Sequence, residues 1–182
     1  MKKEFGSQTC VFPSPVFIIA TYDDDGTPNA MNAAWGGTYD SNKVFVSLSN
    51  HQTTDNLAKR KAFTISFADA AHEKEADYFG MVSGRRVKDK IARAGMTVTK
   101  SQHVDAPVIN EFPITIECEV ESFDDGLLVG RIVNVLADES VLTDGKIDAT
   151  KAHLITFDGM MNRYIELGEA VGHCFKDGLE IK

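Results

Sequence analysis

The sequence predicts a mainly β fold, a small antiparallel barrel carrying a few inserted helices. Two observations point there. Apolar strand-like runs follow one another through short polar turns, without the regular helical crossovers of a doubly wound sheet. The stretch ITIECEVESF (114–123) alternates apolar and polar residues at the period of a strand and is followed by a long return segment. Closure into a barrel is expected because it removes exposed sheet edges.

Taken in order, PVFIIATY (15–22) reads as a strand and DDDGTP (23–28) as a turn, with Asp25-Gly26 its hairpin-prone pair. NAMNAAWGG (29–37) is rich in asparagine and glycine, so it is expected to return as one irregular strand. A turn over 39–43 leads to the strand VFVSL (44–48). TDNLAKRK (54–61) is expected as a short helix whose basic end suits the negative end of the helix dipole. AFTISFA (62–68) alternates as a strand. HEKEADYFGMV (72–82) and RRVKDKIARAG (85–95) read as helices. In the second, Val87, Ile91 and Ala94 form an apolar stripe, Asp89 can pair with Arg93, and Gly95 ends the helix. MTVTK (96–100) is a weak strand and 103–113 a connection.

Within 114–123, Ile114, Ile116, Cys118 and Val120 are expected to face the core, and Thr115, Glu117, Glu119 and Glu121 to face water. After the turn at 124–126, residues 127–142 return as a long antiparallel partner. HLITF (153–157) is a further strand, and 159–175 holds too many glycines for a settled helix.

With 182 residues the chain is expected to form a single domain, 1–182, large enough to bury a core without disulfide or metal staples. Lysine and arginine number 19 against 27 acidic residues, a formal charge of −8. That balance argues against gripping nucleic acid or anionic lipid through net charge. Cys10, Cys118 and Cys174 are far apart in sequence, and no His/Cys cluster has zinc-like spacing, so no metal is expected. The run VFIIA is only five residues and no apolar core follows the two N-terminal lysines closely. Neither a signal peptide nor a membrane span is expected, and a reducing cytoplasmic setting is.

Three stretches carry candidate chemistry. In NHQTTDN (50–56), Thr54 or Thr53 is placed to cap the following helix, and hydroxyls beside the free N–H groups of a first turn suit a phosphate. A helix cap with no ligand accounts for the same residues. Asp55 opposes an anion there unless it turns away, and His51 is a further hydrogen-bonding group. In 29–37 the small residues let a flat ligand approach the backbone, with Trp35 as a wall or simply as core. In DYFGMVSGR (77–85), Tyr78 or Phe79 supplies an apolar wall, and Ser83, Gly84, Arg85 or Arg86 supply donors. No GxGxxG or Walker motif occurs, and no catalytic triad or carboxylate pair is signalled, so no catalytic residue is assigned.

In their order and spacing, PSPVFIIATYDDDGTPNAMNAAWGG, KVFVSLSNHQTTDNLAKRKAFTISFAD, DYFGMVSGRRVKDK and NRYIELGEAVG resemble the flavin reductase-like proteins with the FMN-binding split barrel, and within them the flavoredoxin group. The resemblance implies FMN as cofactor. It implies that Asn29, Met31, Asn32, Ala33, Ala34 and Trp35 lie along the flavin ring, with Ser47, Leu48 and Ser49 by the ring and ribityl chain. His51, Thr53, Thr54 and Asn56 match the phosphate corner. Asp77, Tyr78, Gly80, Ser83 and Gly84 match a loop that closes on the flavin near a dimer interface, so a homodimer is expected. Where the wider family often places an arginine near the phosphate, this chain has His51 and Gln52. Neutralisation then falls to Lys59, Arg60 or the basic run 85–90.

The activity implied is that of an FMN-dependent oxidoreductase, passing electrons from NADH, NADPH or a protein donor to flavin or another acceptor. The alternatives are an FMN-binding electron carrier without its own NAD(P)H reaction, and a non-enzymatic barrel using the same surface for assembly.

Overall fold

The computed structural model describes residues 1–181. The strands in chain order begin with β1 (Ser14–Pro15), β2 (Phe17–Tyr22), β3 (Pro28–Ala33), β4 (Gly36–Asp40) and β5 (Lys43–Ser47). Helix α1 (Gln52–Arg60) leads into β6 (Ala62–Phe67), and α2 (Glu73–Met81) is followed by the single turn α3 (Lys90–Arg93). Then come β7 (Val98–Lys100), β8 (Pro107–Ile109), β9 (Ile114–Asp124) and β10 (Leu127–Ala137). The short β11 (Leu142–Thr143), β12 (Lys146–Ile147), β13 (Ile155–Asp158) and β14 (Arg163–Glu166) complete the set.

Seven of these strands form one antiparallel sheet in the order β3-β2-β6-β9-β10-β5-β4. Its two edge strands, β3 and β4, are neighbours in sequence, separated only by Ala34 and Trp35. Three chain steps cover at most about 11 Å. Six inter-strand spacings in a flat sheet would need roughly 29 Å. The sheet therefore has to curl until its edges meet, and the result is a split barrel. The crossing is held by Trp35, whose carbonyl accepts from Ser47 N–H at 2.7 Å.

Inside the curl lie Phe17, Ile19, Met31, Val44, Val46, Leu57, Phe63, Ile65, Ile116, Cys118 and Leu128. The opposite face of β2 is also covered. Ile18 and Ala20 pack with Ala76, Phe79, Ile91, Met96 and Ile109 from the helical insertion and β8. Burial on both faces explains why VFIIA is a continuous apolar run rather than an alternating one.

The structure corrects several sequence expectations. Residues 29–37 are not one irregular strand; they divide between β3 and β4 at the crossing. Helix α1 starts at Gln52 rather than 54, and ends against Lys61 in the left-handed region with φ 56°. The expected helix over 85–95 shrinks to α3, because the Ser83 carbonyl takes both Arg86 N–H and Val87 N–H at 3.0 Å and forms a turn instead. The Asp89–Arg93 pair does form, at 2.8 Å, and Gly95 with φ +76° ends the segment. β8 occupies part of the expected connection, β10 ends at Ala137 short of 142, and β14 lies within the tail.

The largest departure concerns β9. Thr115 and Glu117, expected to face water, are buried. Their face is shielded by the 98–110 hairpin, and the polar groups are matched locally. Ser66 and Thr115 hydroxyls meet at 2.8 Å, and Thr64 Oγ1 donates to the Pro107 carbonyl at 2.6 Å. Glu119 remains exposed as expected. No helix among the described residues is long and apolar enough to cross a membrane.

At Gly130 the barrel wall has no room for a side chain: a Cβ there would lie 2.3 Å from Cζ of the fully buried Phe63. Gly130→Ala is expected to destabilise by about 1–3 kcal/mol. The check is a lowered denaturant midpoint at unchanged slope.

Candidate functional site

β3 runs along one wall of a trough made of two adjoining cavities. The narrower half, about 210 Å³, is lined by Asn29, Gln52 and Thr53, by the α2–α3 turn from Phe79 to Gly84, and by Lys90. The broader half, about 310 Å³, is lined by Ala33, Ala34 and Trp35 and by Ser47, Leu48 and Ser49. Met31, Asn32 and His51 belong to both. A larger and mostly apolar cavity of about 470 Å³ lies elsewhere, against Phe17, Phe67, Ile116 and Ile132, and takes only Gly36 and Gly37 from the stretches singled out in the sequence. The trough, unlike that cavity, is lined by buried polar groups that lack a full set of partners among the described residues, so it is the better candidate.

The narrow half shows the local chemistry most clearly. Asn29 Nδ2 donates to Thr53 Oγ1 at 2.8 Å. Asn29 Oδ1 is buried without a hydrogen-bond partner, an arrangement costly enough to call for a ligand donor. Gly84 makes room beside it, since a Cβ there would fall 2.1 Å from that oxygen. The first-turn amides of α1 open at Gln52 and Thr53 on the same wall, where the dipole favours an anion.

Lys90 enters from the far side, 2% exposed, with Nζ donating to the carbonyls of Val82 at 2.8 Å and Phe79 at 3.2 Å. Burial pushes its ammonium down to about 8, and no carboxylate pairs with it. His51 is also held below its usual range, by partial burial first and then by Arg85 and Lys90. Its Nε2 lies 2.9 Å from Ser49 Oγ.

Not every residue picked from the sequence reaches the trough. Thr54 turns its hydroxyl back to the helix entry, accepting from His51 N–H at 3.0 Å and donating to the His51 carbonyl at 2.7 Å. Asn56 points the other way, donating to Thr21 Oγ1 at 2.9 Å and Asp23 Oδ1 at 2.7 Å. Asp77 accepts from Tyr164 Oη at 2.9 Å, and Tyr78 packs with the apolar cluster outside the barrel. Gly80 and Ser83 line the narrow half, where Phe79, not Tyr78, supplies the wall.

The anticipated conflict at Asp55 is resolved by Arg85, which binds it at 2.8 Å and also holds Asn50. Among the cations considered for an anion, Lys59 pairs with Asp24 and Lys88 with Asp23. Arg60 binds Asp105 at 3.1 Å. Only Lys90 lines the trough among them. Gln52, Met81 and Val82 are not signalled by the sequence, whereas Phe79 is one of its two candidate walls. Lys90 lay inside the basic run, but which lysine turns inward depends on the turn after Ser83. Among the described residues no group of three or more His, Cys, Asp or Glu side chains is placed to hold a metal.

The buried ammonium has a consequence for stability. Between about 8 and the ordinary 10.5, the unfolded chain keeps a proton at this position that the folded chain has lost. Stability should therefore rise with pH across that window, by on the order of 3 kcal/mol at most. Lys90→Met is expected to remove the rise, read as the difference in denaturation free energy between the two proteins from about pH 7 to 11.

Comparison with known proteins places this geometry. Residues 9–161 match the family model described as the flavin reductase-like domain. The flavoredoxin of Desulfovibrio vulgaris (Miyazaki F) superposes with a TM-score of 0.94 at 38% identity, covering 98% of this chain and 100% of that one. A flavoredoxin from Methanosarcina acetivorans gives 0.88 at 24% identity, over 98% and 97% of the two chains. An uncharacterised protein of Bacillus subtilis (strain 168), YdfE, is 24% identical over 199 residues, 96% of this chain and 93% of its own. With a family model spanning most of its length and a close structural counterpart at that level of identity, the chain belongs to the flavin reductase-like family, in its flavoredoxin group.

Proposed function

We propose that residues 1–182 act as one FMN-binding domain and that the protein is an FMN-dependent oxidoreductase of flavoredoxin type. It passes electrons from NADH, NADPH or a protein donor to flavin or another acceptor. The observation that carries this reading is the unpartnered Asn29 Oδ1, in a polar cleft that Lys90 and the opening of α1 also line, at one end of a trough whose other end is bordered by small residues.

The residues fit the parts of FMN. A phosphate suits the end formed by Thr53, the first turn of α1 and Lys90, where a cation and free amides meet. Asn29 Oδ1 is an unpartnered acceptor in the wall of the cleft, which a hydroxyl of the ribityl chain would satisfy on reaching it. Ala33, Ala34 and Ser47 to Ser49 border a groove broad enough for a flat ring, with Trp35 at its rim. Bound there, flavin supplies hydride and single-electron chemistry. The chain's own part is to hold and orient it, to exclude water, and to offer backbone N–H groups to its polar edge. No side chain is assigned as acid or base.

Trp35 is 63% exposed and Met81 75% exposed at the edges of the trough, which supports a homodimer closing over the site. A reducing cytoplasmic setting agrees with three free cysteines. The sequence has no dinucleotide fingerprint, which leaves room for an electron carrier lacking its own NAD(P)H reaction without excluding the reductase.

Titrating the apoprotein with FMN is expected to give a yellow 1:1 complex. Lys90→Met should weaken it roughly 10- to 150-fold, the equivalent of about 1.5–3 kcal/mol for a lost charged hydrogen bond. Wild-type affinity should also fall as pH rises through about 8, where Lys90 loses its proton, and the variant should show no such fall. A protein that stays colourless with added FMN overturns the proposal. Rapid anaerobic mixing of the complex with NADH or NADPH is expected to bleach the flavin. Bleaching by neither, with FMN still bound, selects the carrier reading.

A further inference from the structure

We propose a second ligand site on the outer face of the sheet, built to take a small primary amine as its ammonium ion, with Glu117 as the anchor. Four carboxylates are largely buried in this protein: Asp23, Asp69, Asp158 and Glu117. The first three each have a basic partner. Asp23 binds Lys88 at 2.6 Å, Asp69 binds His72 at 2.8 Å, and Asp158 binds Arg163 at 3.0 Å. Glu117, at 1% exposure the most buried of the four, has none among the described residues. Its one hydrogen bond there is from Asn134 Nδ2 to Oε2 at 2.5 Å. Oε1 has no partner among the described residues and is not sealed off, so a cation or further donors can reach it and complete the carboxylate.

The space to complete it is present. Glu117 borders a cavity of about 330 Å³ between β9, β10 and the 99–110 hairpin. Thr99 and Asn110 line it with hydroxyl and amide oxygens that accept from an ammonium, Ser101 Oγ being taken up by the N–H groups of His103 and Val104, while Val108 and Leu136 offer apolar wall to a short methylene stem. Lys100 also borders the space, but its Nζ lies 3.5 Å from Asp105. No residue of this cavity belongs to the trough, so the two sites are separate. A metal ion is a poor occupant, since no cluster of three or more His, Cys, Asp or Glu ligands forms among the described residues. The net charge of −8 further favours a cationic ligand.

The test uses the FMN-loaded protein, with propylamine as probe and propan-1-ol as its neutral counterpart, followed by amide chemical shifts. Propylamine is expected to move the amides of residues 99–103, Asn110 and Glu117 saturably, with a dissociation constant around millimolar or tighter. Propan-1-ol should not do so. Glu117→Gln should weaken the effect at least tenfold while keeping FMN bound. If that variant does not fold, Leu136→Trp, which fills the cavity and leaves the carboxylate in place, should abolish the shifts instead. Absence of saturable shifts, equal shifts with propan-1-ol, or shifts undiminished in a folded variant would overturn the proposal.

Discussion

Everything in this protein depends on two residues crossing from one edge of a seven-stranded sheet to the other. Ala34 and Trp35 are too short a link to allow a flat sheet, so the strands between β3 and β4 have to curl. The curl encloses the apolar side chains of β2, β5, β6, β9 and β10 in one core. The β4–β5 pairing, in which Gly36 faces Val46, fixes the crossing alongside the end of β5, where Ser47 N–H meets the Trp35 carbonyl. The trough follows from that closure. Its broad half is bordered by the end of β3 and by Ser47 to Ser49 at the end of β5, strands five places apart in the sheet that only the curl brings side by side.

The polar half of the trough is a second consequence. β3 is an edge strand, so α1 and the α2–α3 turn can both pack near it, as Asn29 bonding Thr53 and Asn32 Nδ2 bonding the Ala76 carbonyl at 3.0 Å show. Those two anchors set the entrance of α1 and the end of α2 on opposite sides of a narrow cleft. The cleft keeps one unsatisfied oxygen, one buried ammonium and one glycine whose missing side chain would collide with that oxygen. Such groups cost stability in the absence of a partner, which is why they mark a site more firmly than the larger apolar cavity does.

The same distinction between covered and completed applies to the outer face of the sheet. Thr115 and Ser66 satisfy one another, and Thr64 is satisfied by the hairpin that covers it. Glu117 lies in the same row and is shielded by the same hairpin, yet it retains charge capacity that no neighbour uses. Alternation in the sequence located that row correctly but assigned it to water. The period of a strand tells which residues share a face, and says nothing about what later packs on it.

By itself the sequence determined β2, β5, β6, β9, the start of β10 and β13, the turns after β2 and β9, the ends of α1 to within two residues, and the stretches around the trough, because these depend on local periodicity, turn chemistry and capping. Asn29, Thr53, Gly80 and Gly84 were legible as candidates on that basis and through the ordered family pattern. Only the tertiary structure decided that Thr54 and Asn56 spend their polar groups elsewhere, that Lys90 rather than Lys59, Arg60 or Lys88 enters the cleft, and that Glu117 is buried. The physical reason is that a side chain's hydrogen-bond partner and its exposure are set by segments distant in the chain, and no local pattern encodes which of several lysines or carboxylates those segments will cover.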